Sequence, residues 1–223
     1  MAVPTAPRNH VVDRTVQRSL AGRAQAYADE VSRIVEATYR VVERTGSLDP
    51  TVRDILDESG LSRRAFYRHF QSKDELLVAL LDDGRRQIAD YLTHRMDAAG
   101  DTAASVRAWI EGVLAQATNA QAAGRTRPFL ANLDRLADGY PEEQRASAAA
   151  MIAPLERALE EAGRADAAQQ AHLVYLLAVA AMHEHIRDRT RPAPREVDRL
   201  VTFCLQALAL EERARRRAAI ARR

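Results

Sequence analysis

Apolar residues recur at intervals of three and four along most of this chain, and nowhere in strict alternation. Val31, Ile34, Val35, Thr38, Tyr39 and Val42 make one such stripe, and Leu76, Leu77, Leu80, Leu81, Ile88, Tyr91 and Leu92 another. Val106, Trp109, Ile110, Val113, Leu114 and Ala117 repeat the pattern, followed by Phe129 to Leu136, Met151 to Leu159 and Val197 to Leu208. A helix turns once in 3.6 residues, so each set falls on one face and needs a partner to cover it. Leu173 to Ile186 is apolar almost all round and is expected to be buried on several sides. With no strand-like alternation, internal repeat or glycine-rich phosphate loop, the sequence predicts an all-α fold of about nine helices. Composition agrees: 47% of the residues are apolar but only 5% aromatic, and alanine and leucine favour helix.

Short polar residues and glycines mark the helix ends. Gly46 is expected to close the first helix. The second starts either with Thr51 and Asp54 as a capping box or with Pro50 in the first helical position. Ser59-Gly60 closes it, Ser62 caps a third helix, and Ser72 with Glu75 caps a fourth. Pro154 either kinks its helix or begins the second half of it. Residues 1–22 read as a flexible arm, because prolines and scattered basic side chains leave only weak periodicity; residues 211–223 read as a basic, frayed tail.

A formal net charge of +2 names no partner, so local charge has to do so. Cys204 is the only cysteine, which rules out an internal disulfide, and its apolar setting suggests an inert buried thiol. The longest nearly uncharged run, Leu173 to Met182, is too short to span a bilayer. The first residues lack the apolar core of a secretory signal, so a cytoplasmic protein is expected.

Local charge concentrates in SGLSRRAFYRHFQSKDEL, Ser59 to Leu76, where no acid appears before Asp74. Helix, glycine turn and basic helix follow one another from Thr51 to Phe70, the order of a helix-turn-helix whose second helix enters the major groove. Arg63 and Arg64 fall in its first turn, where guanidinium groups meet base-edge acceptors. Tyr67 shares a face with Arg63, while Phe66 and Phe70 point the other way, toward a small core with Ile55. His69 and Lys73 extend the positive surface to the start of the fourth helix, and Thr51 and Arg53 stand at the start of the second.

IVEATYRVVERTG followed by TVRDILDESGLSRRAFYRHFQSKDELL resembles, without gaps from Ile34 to Leu81, the DNA-binding region of TetR-family transcriptional regulators. Tyr67-Arg68-His69-Phe70 and Ser72-Lys73-Asp74-Glu75-Leu76 carry the likeness most specifically. The resemblance implies a homodimer on a near-palindromic double-stranded operator, acting as a repressor that a small molecule releases. It implies phosphate contacts by Thr51, Tyr67, His69 and Lys73, and base contacts near Arg53, Arg63, Arg64 and Ala65; Ser62 and Arg68 complete the candidate surface. Arg64 stands where the family usually has a small residue, Ala65 where it has threonine and Leu56 where alanine is common, so the operator cannot be borrowed from a relative.

Residues 23–72 are therefore expected to form the DNA-binding domain and 73–210 a helical ligand-binding and dimerisation domain. Tyr91, Trp109, Phe129, Met151, His172 and Tyr175 are the candidate cavity wall, with Asn132 as a further polar group. Val197, Leu200, Val201, Cys204, Leu205 and Leu208 are the candidate dimer seam. No enzyme, cofactor or metal site is expected. In His183-Glu184-His185 the two imidazoles project about 200° apart on a regular helix and cannot share an ion. The competing reading is a ligand-independent or architectural DNA binder that grips phosphates with Arg213, Arg215, Arg216 and Arg217.

Overall fold

Ten helices run through the residues described by the computed structural model, 10–45 and 49–210. They are α1 (His10–Thr45), α2 (Val52–Ser59), α3 (Arg63–His69), α4 (Lys73–Asp97), α5 (Thr102–Thr118), α6 (Ala120–Ala131), α7 (Leu133–Gly139), α8 (Pro141–Glu161), α9 (Ala167–Asp188) and α10 (Pro194–Ala207). Side chains of residues 10–13, 128, 129 and 131 are not among those described. The expected stop at Gly46 and the arginines of the C-terminal tail also lie outside the described residues.

Three caps start helices where the sequence puts them. Thr51 accepts the Asp54 N–H at 3.2 Å while the Asp54 carboxylate accepts the Thr51 N–H at 3.2 Å, so Thr51 is the cap and Pro50 precedes it. Ser62 accepts the Ala65 N–H at 3.1 Å, and Ser72 the Glu75 N–H at 3.0 Å. One expectation is corrected. Residues 10–22 are not an irregular arm; they continue α1, which is exposed from Arg14 to Asp29. Between Val11 and Ala21 neither glycine nor proline interrupts the run, so nothing breaks the helix where burial does not support it.

Two apolar cores follow. The first gathers Ile34, Ala37, Ile55, Phe66, Phe70, Leu76, Leu77, Leu80 and Leu81, from α1 to the first half of α4, and takes in Leu136 of α7. The second joins Leu92 and Met96 of α4 with Trp109, Ile110, Leu155, Val174, Met182 and the inner face of α10. Helix α4 thus belongs to both. Its second half lies close to α5 at Gly112, where a Cβ atom would come within 2.5 Å of Leu92 Cδ2. Trp109 is fully buried and donates its indole N–H to Met151 O at 3.1 Å. That carbonyl neighbours the one of Ala150, which Pro154, inside the continuing helix α8, leaves without a helical donor.

The apolar run expected from Phe129 to Leu136 breaks at Asn132 into α6 and α7. Leu130 packs on the second core and Leu136 on the first, and one straight helix cannot serve both.

The last helix also differs from expectation. Val201, Cys204, Leu205 and Leu208 are buried, and Val197 and Leu200 half-buried, in the chain's own second core, where α10 lies on α5. The stripe assigned to a dimer seam is thus intramolecular packing. What stays exposed is the opposite side: Leu173, Leu176 and Leu177 of α9 and Phe203 of α10, the last 59% accessible. Helix α9 is therefore covered on fewer sides than its composition suggests.

Candidate nucleic-acid interface and cavity

Between α2 and α3 the chain reverses at Gly60, whose φ of 65° is the left-handed conformation glycine adopts without strain. Its N–H donates to Leu56 O at 2.9 Å, and Arg33 of α1 donates to Ser59 O at 2.7 Å, so the turn is tied to α1. Phe66 and Phe70 lie inward with ring centroids 5.8 Å apart, fixing the roll of α3. Arg63, Arg64, Tyr67 and Arg68 face outward, and the Arg63 guanidinium sits 5.4 Å from the Tyr67 ring centroid. No acid lies on α3, and Arg53 of α2 is 90% exposed, its nearest carboxylate being Asp57 at 3.8 Å.

Several expected contacts are placed otherwise. Ala65 is buried, so its side chain is turned from the outer face. The His69 side chain is fully buried: Nε2 meets Glu30 Oε2 at 2.6 Å and the ring packs edge-on against Tyr27 at 4.1 Å. Arg68 pairs with the same Glu30 carboxylate. The hydrogen bond with His69, and then that with Arg68, hold the Glu30 carboxyl below its ordinary range. His69 is therefore a brace between α1 and α3 rather than a free phosphate ligand. Lys73 is committed to Asp49 at 2.7 Å, and the Thr51 hydroxyl to Asp54. Sequence reasoning missed Glu30, Tyr27 and Arg33 because they lie one helix away and carry no motif of their own.

A cavity of about 560 Å³ opens among α1, α4, α5, α6, α8 and α9. Tyr91, Met151 and Tyr175 line it as expected. Trp109 does not, being spent in the core, and His172 lies exposed, stacked on Tyr175 at 6.3 Å. Asn132 is not in the wall either; it accepts from Arg135 at 2.8 Å. The Phe129 side chain is outside those described. The wall includes polar groups that sequence reasoning did not place there, among them Arg85, Gln116, Asn119, Arg125 and His183. A signal existed for two. Arg85 stands on the Leu81–Ile88–Leu92 stripe and His183 on the Val179–Ile186 stripe, both positions where an apolar residue is the rule.

Burial, with Arg85 and Arg187 adding to it, brings the His183 pKa down to about 4, and burial raises the Tyr175 phenol. His185, two residues on, turns away to Glu196 of α10 at 2.9 Å and to Thr190 at 2.7 Å. The two imidazoles are thus engaged in different places.

An outward basic helix on a glycine-reversed pair is a helix-turn-helix, here backed by an all-helical domain with its own cavity. Residues 34–80 match the family of bacterial regulatory proteins, tetR family, so this module is of the TetR DNA-binding type. It is 38% identical over 72 residues to the HTH-type transcriptional regulator TtgR of Pseudomonas putida, 32% of this chain and 30% of that one. The matched region therefore spans under a third of such a relative's length. Solved structures share the fold more widely. NemR of E. coli in its reduced form superposes with a TM-score of 0.59 at 17% identity, covering 78% of this chain and 95% of NemR. A TetR transcription regulator from Haloarcula marismortui gives 0.59 at 18% identity, covering 82% and 98%. Among the described residues no helix is long and apolar enough to cross a membrane.

Proposed function

We propose that this chain is a cytoplasmic repressor that binds a near-palindromic operator as a homodimer and leaves it when a small molecule fills the cavity. The observation that carries the reading is the outward face of α3, with Arg63, Arg64 and Tyr67 free of acidic partners on their own helix and held rigid by Phe66 and Phe70. Arg63 and Arg64 read base edges; Arg53 and Tyr67 take phosphates. The exposed apolar surface of Leu173, Leu176, Leu177 and Phe203 supports a two-fold seam, since an isologous contact covers the same patch on both copies. The cavity favours a ligand-responsive regulator over an architectural binder, which has no use for an internal void of drug-sized volume.

Release follows from population shift. A ligand that prefers a conformer with α4 tilted, by about 1.4 kcal/mol, lowers operator occupancy about tenfold. Footprinting on DNA from the gene's own upstream region is the direct test. Two protected half-sites, about one helical turn or a multiple apart, are expected. A single asymmetric site held by a monomer would overturn the dimeric reading. Protection that no small molecule relieves would favour the ligand-independent one.

A further inference from the structure

Arg85 brings a positive charge into the wall of the cavity, and the carboxylate whose field reaches it, that of Asp82, is paired with Arg86. It is half-buried on α4, and its Nη1 donates to the neutral Gln144 amide, at 3.0 Å to Oε1, with the Gln144 carbonyl at 3.5 Å. Among the described residues no ion pair reaches it. Asp82, one turn earlier, pairs with Arg86 at 2.8 Å. The other cavity arginine is answered: Arg125 meets Glu43 at 3.0 Å and stacks 4.9 Å from the Tyr39 ring centroid. Among the described residues no aspartate or glutamate lines the cavity. Tyr175 and His183 are the polar groups of the wall nearest in effect to Arg85, and His183 stays uncharged near neutrality; Ile88, Val179 and Met182 belong to the apolar part of the same wall.

A half-buried guanidinium whose hydrogen-bond partner is a neutral amide is short of a counter-ion, and an arriving anion supplies one. Guanidinium and carboxylate match as planar, two-pronged partners. A cationic ligand would meet two arginines and no acid in the wall; a neutral one would leave Arg85 as it stands.

We propose that the effector of this cavity is an organic carboxylate with an apolar body, its carboxylate taken by Arg85 and its body by Ile88, Val179 and Met182. This rests on the reading of the cavity as the effector site. The body can be an alkyl chain or an aromatic ring, and the probes separate the two.

The test measures binding by calorimetry and operator release in parallel for decanoate, 2-naphthoate, decanol and decyltrimethylammonium. With the unaltered protein, at least one carboxylate should bind ten times or more tighter than decanol and release the operator; which one does so identifies the body. Arg85→Met should erase that preference while decanol binding stays within about twofold, and Arg85→Lys should retain part of it. Decanol binding as tightly as both carboxylates, or the ammonium binding best, would overturn the inference while leaving a ligand-responsive cavity in place. Silence from all four probes would remove the effector site and this inference together. Should Arg85→Met fail to fold, the ranking on the unaltered protein still decides.

Discussion

Arg64 and Arg53 are both exposed arginines, and on the proposed reading they do different work. Arg64 lies in the first turn of α3; Arg53 lies on α2, almost fully accessible and weakly paired. Arg64→Ala should cost about 1–3 kcal/mol on the operator and relax base preference at one position. Arg53→Ala should weaken binding to all sequences alike and reduce the salt slope by about 1. Competition titrations at several salt concentrations separate the two, and equal losses on every sequence for Arg64→Ala would make it a phosphate clamp. A second residue gives a pH signature. The His183 pKa, brought down from 6.5 to about 4 by burial and by Arg85 and Arg187, means that the unfolded chain takes up a proton the folded one refuses. Stability from this group is full above about pH 6.5 and drains as pH falls toward 4, by up to about 3 kcal/mol. His183→Gln should flatten the melting temperature over that window; an unchanged slope would assign the acid loss to other groups. At this scale the sequence was readable wherever a residue's partner lay within four positions, as with Thr51 and Asp54. It misplaced His69, expected on a phosphate, whose ring is occupied by Glu30, thirty-nine residues away.

Helix α7 is the element that sequence reading missed, and it stands where the two cores meet. Leu136 is fully buried in the N-terminal core, Tyr140 lies 3.2 Å from the Ser72 hydroxyl that caps α4, and Arg135 reaches Asp74 at 2.8 Å and Asp49 at 3.4 Å. Leu133 at its start, and Leu130 just before it, line the cavity. A short segment thus touches both the cavity and the start of α4. Leu136→Ala should destabilise the protein by about 2–5 kcal/mol, as a buried leucine in a packed site does. Arg135→Ala removes only half-exposed ion pairs and should spare the fold. Its expected effect is on coupling: effector affinity measured with and without operator should differ less than in the unaltered protein. An undiminished difference would take α7 out of the path. Its apolar pattern was visible as a single stripe, but a stripe does not say which of two cores it faces, and the break at Asn132 follows from that division. The caps of α2, α3 and α4 were legible because each depends on a residue and the backbone three positions on.

For the whole molecule, the exposed leucines of α9 and Phe203 are the proposed assembly surface. Leu177→Glu with Phe203→Glu should give folded monomers in sedimentation runs, with operator affinity lost, because one α3 alone holds only half a site. Leu205→Glu should instead unfold the chain, since that side chain is 5% exposed inside its own core. A well-folded dimer from the double variant would move the seam elsewhere. The all-α class and the order of the two halves were legible from periodicity. The side of α10 turned inward was not, because a stripe fits a neighbouring helix of the same chain as well as one of a second copy. The sharing of α4 between the cores has a mechanical consequence. The residues of α4 that line the cavity run from Leu80 to Tyr91, so the start of the helix stands about 19 Å from their midpoint and a tilt of about 3° there carries it through about 1 Å. In the proposed two-fold pair the displacements oppose, and the separation of the α3 helices changes by up to about 2 Å against a groove repeat of about 34–36 Å. On that reading a small rearrangement around a bound molecule becomes a spacing error between the two copies.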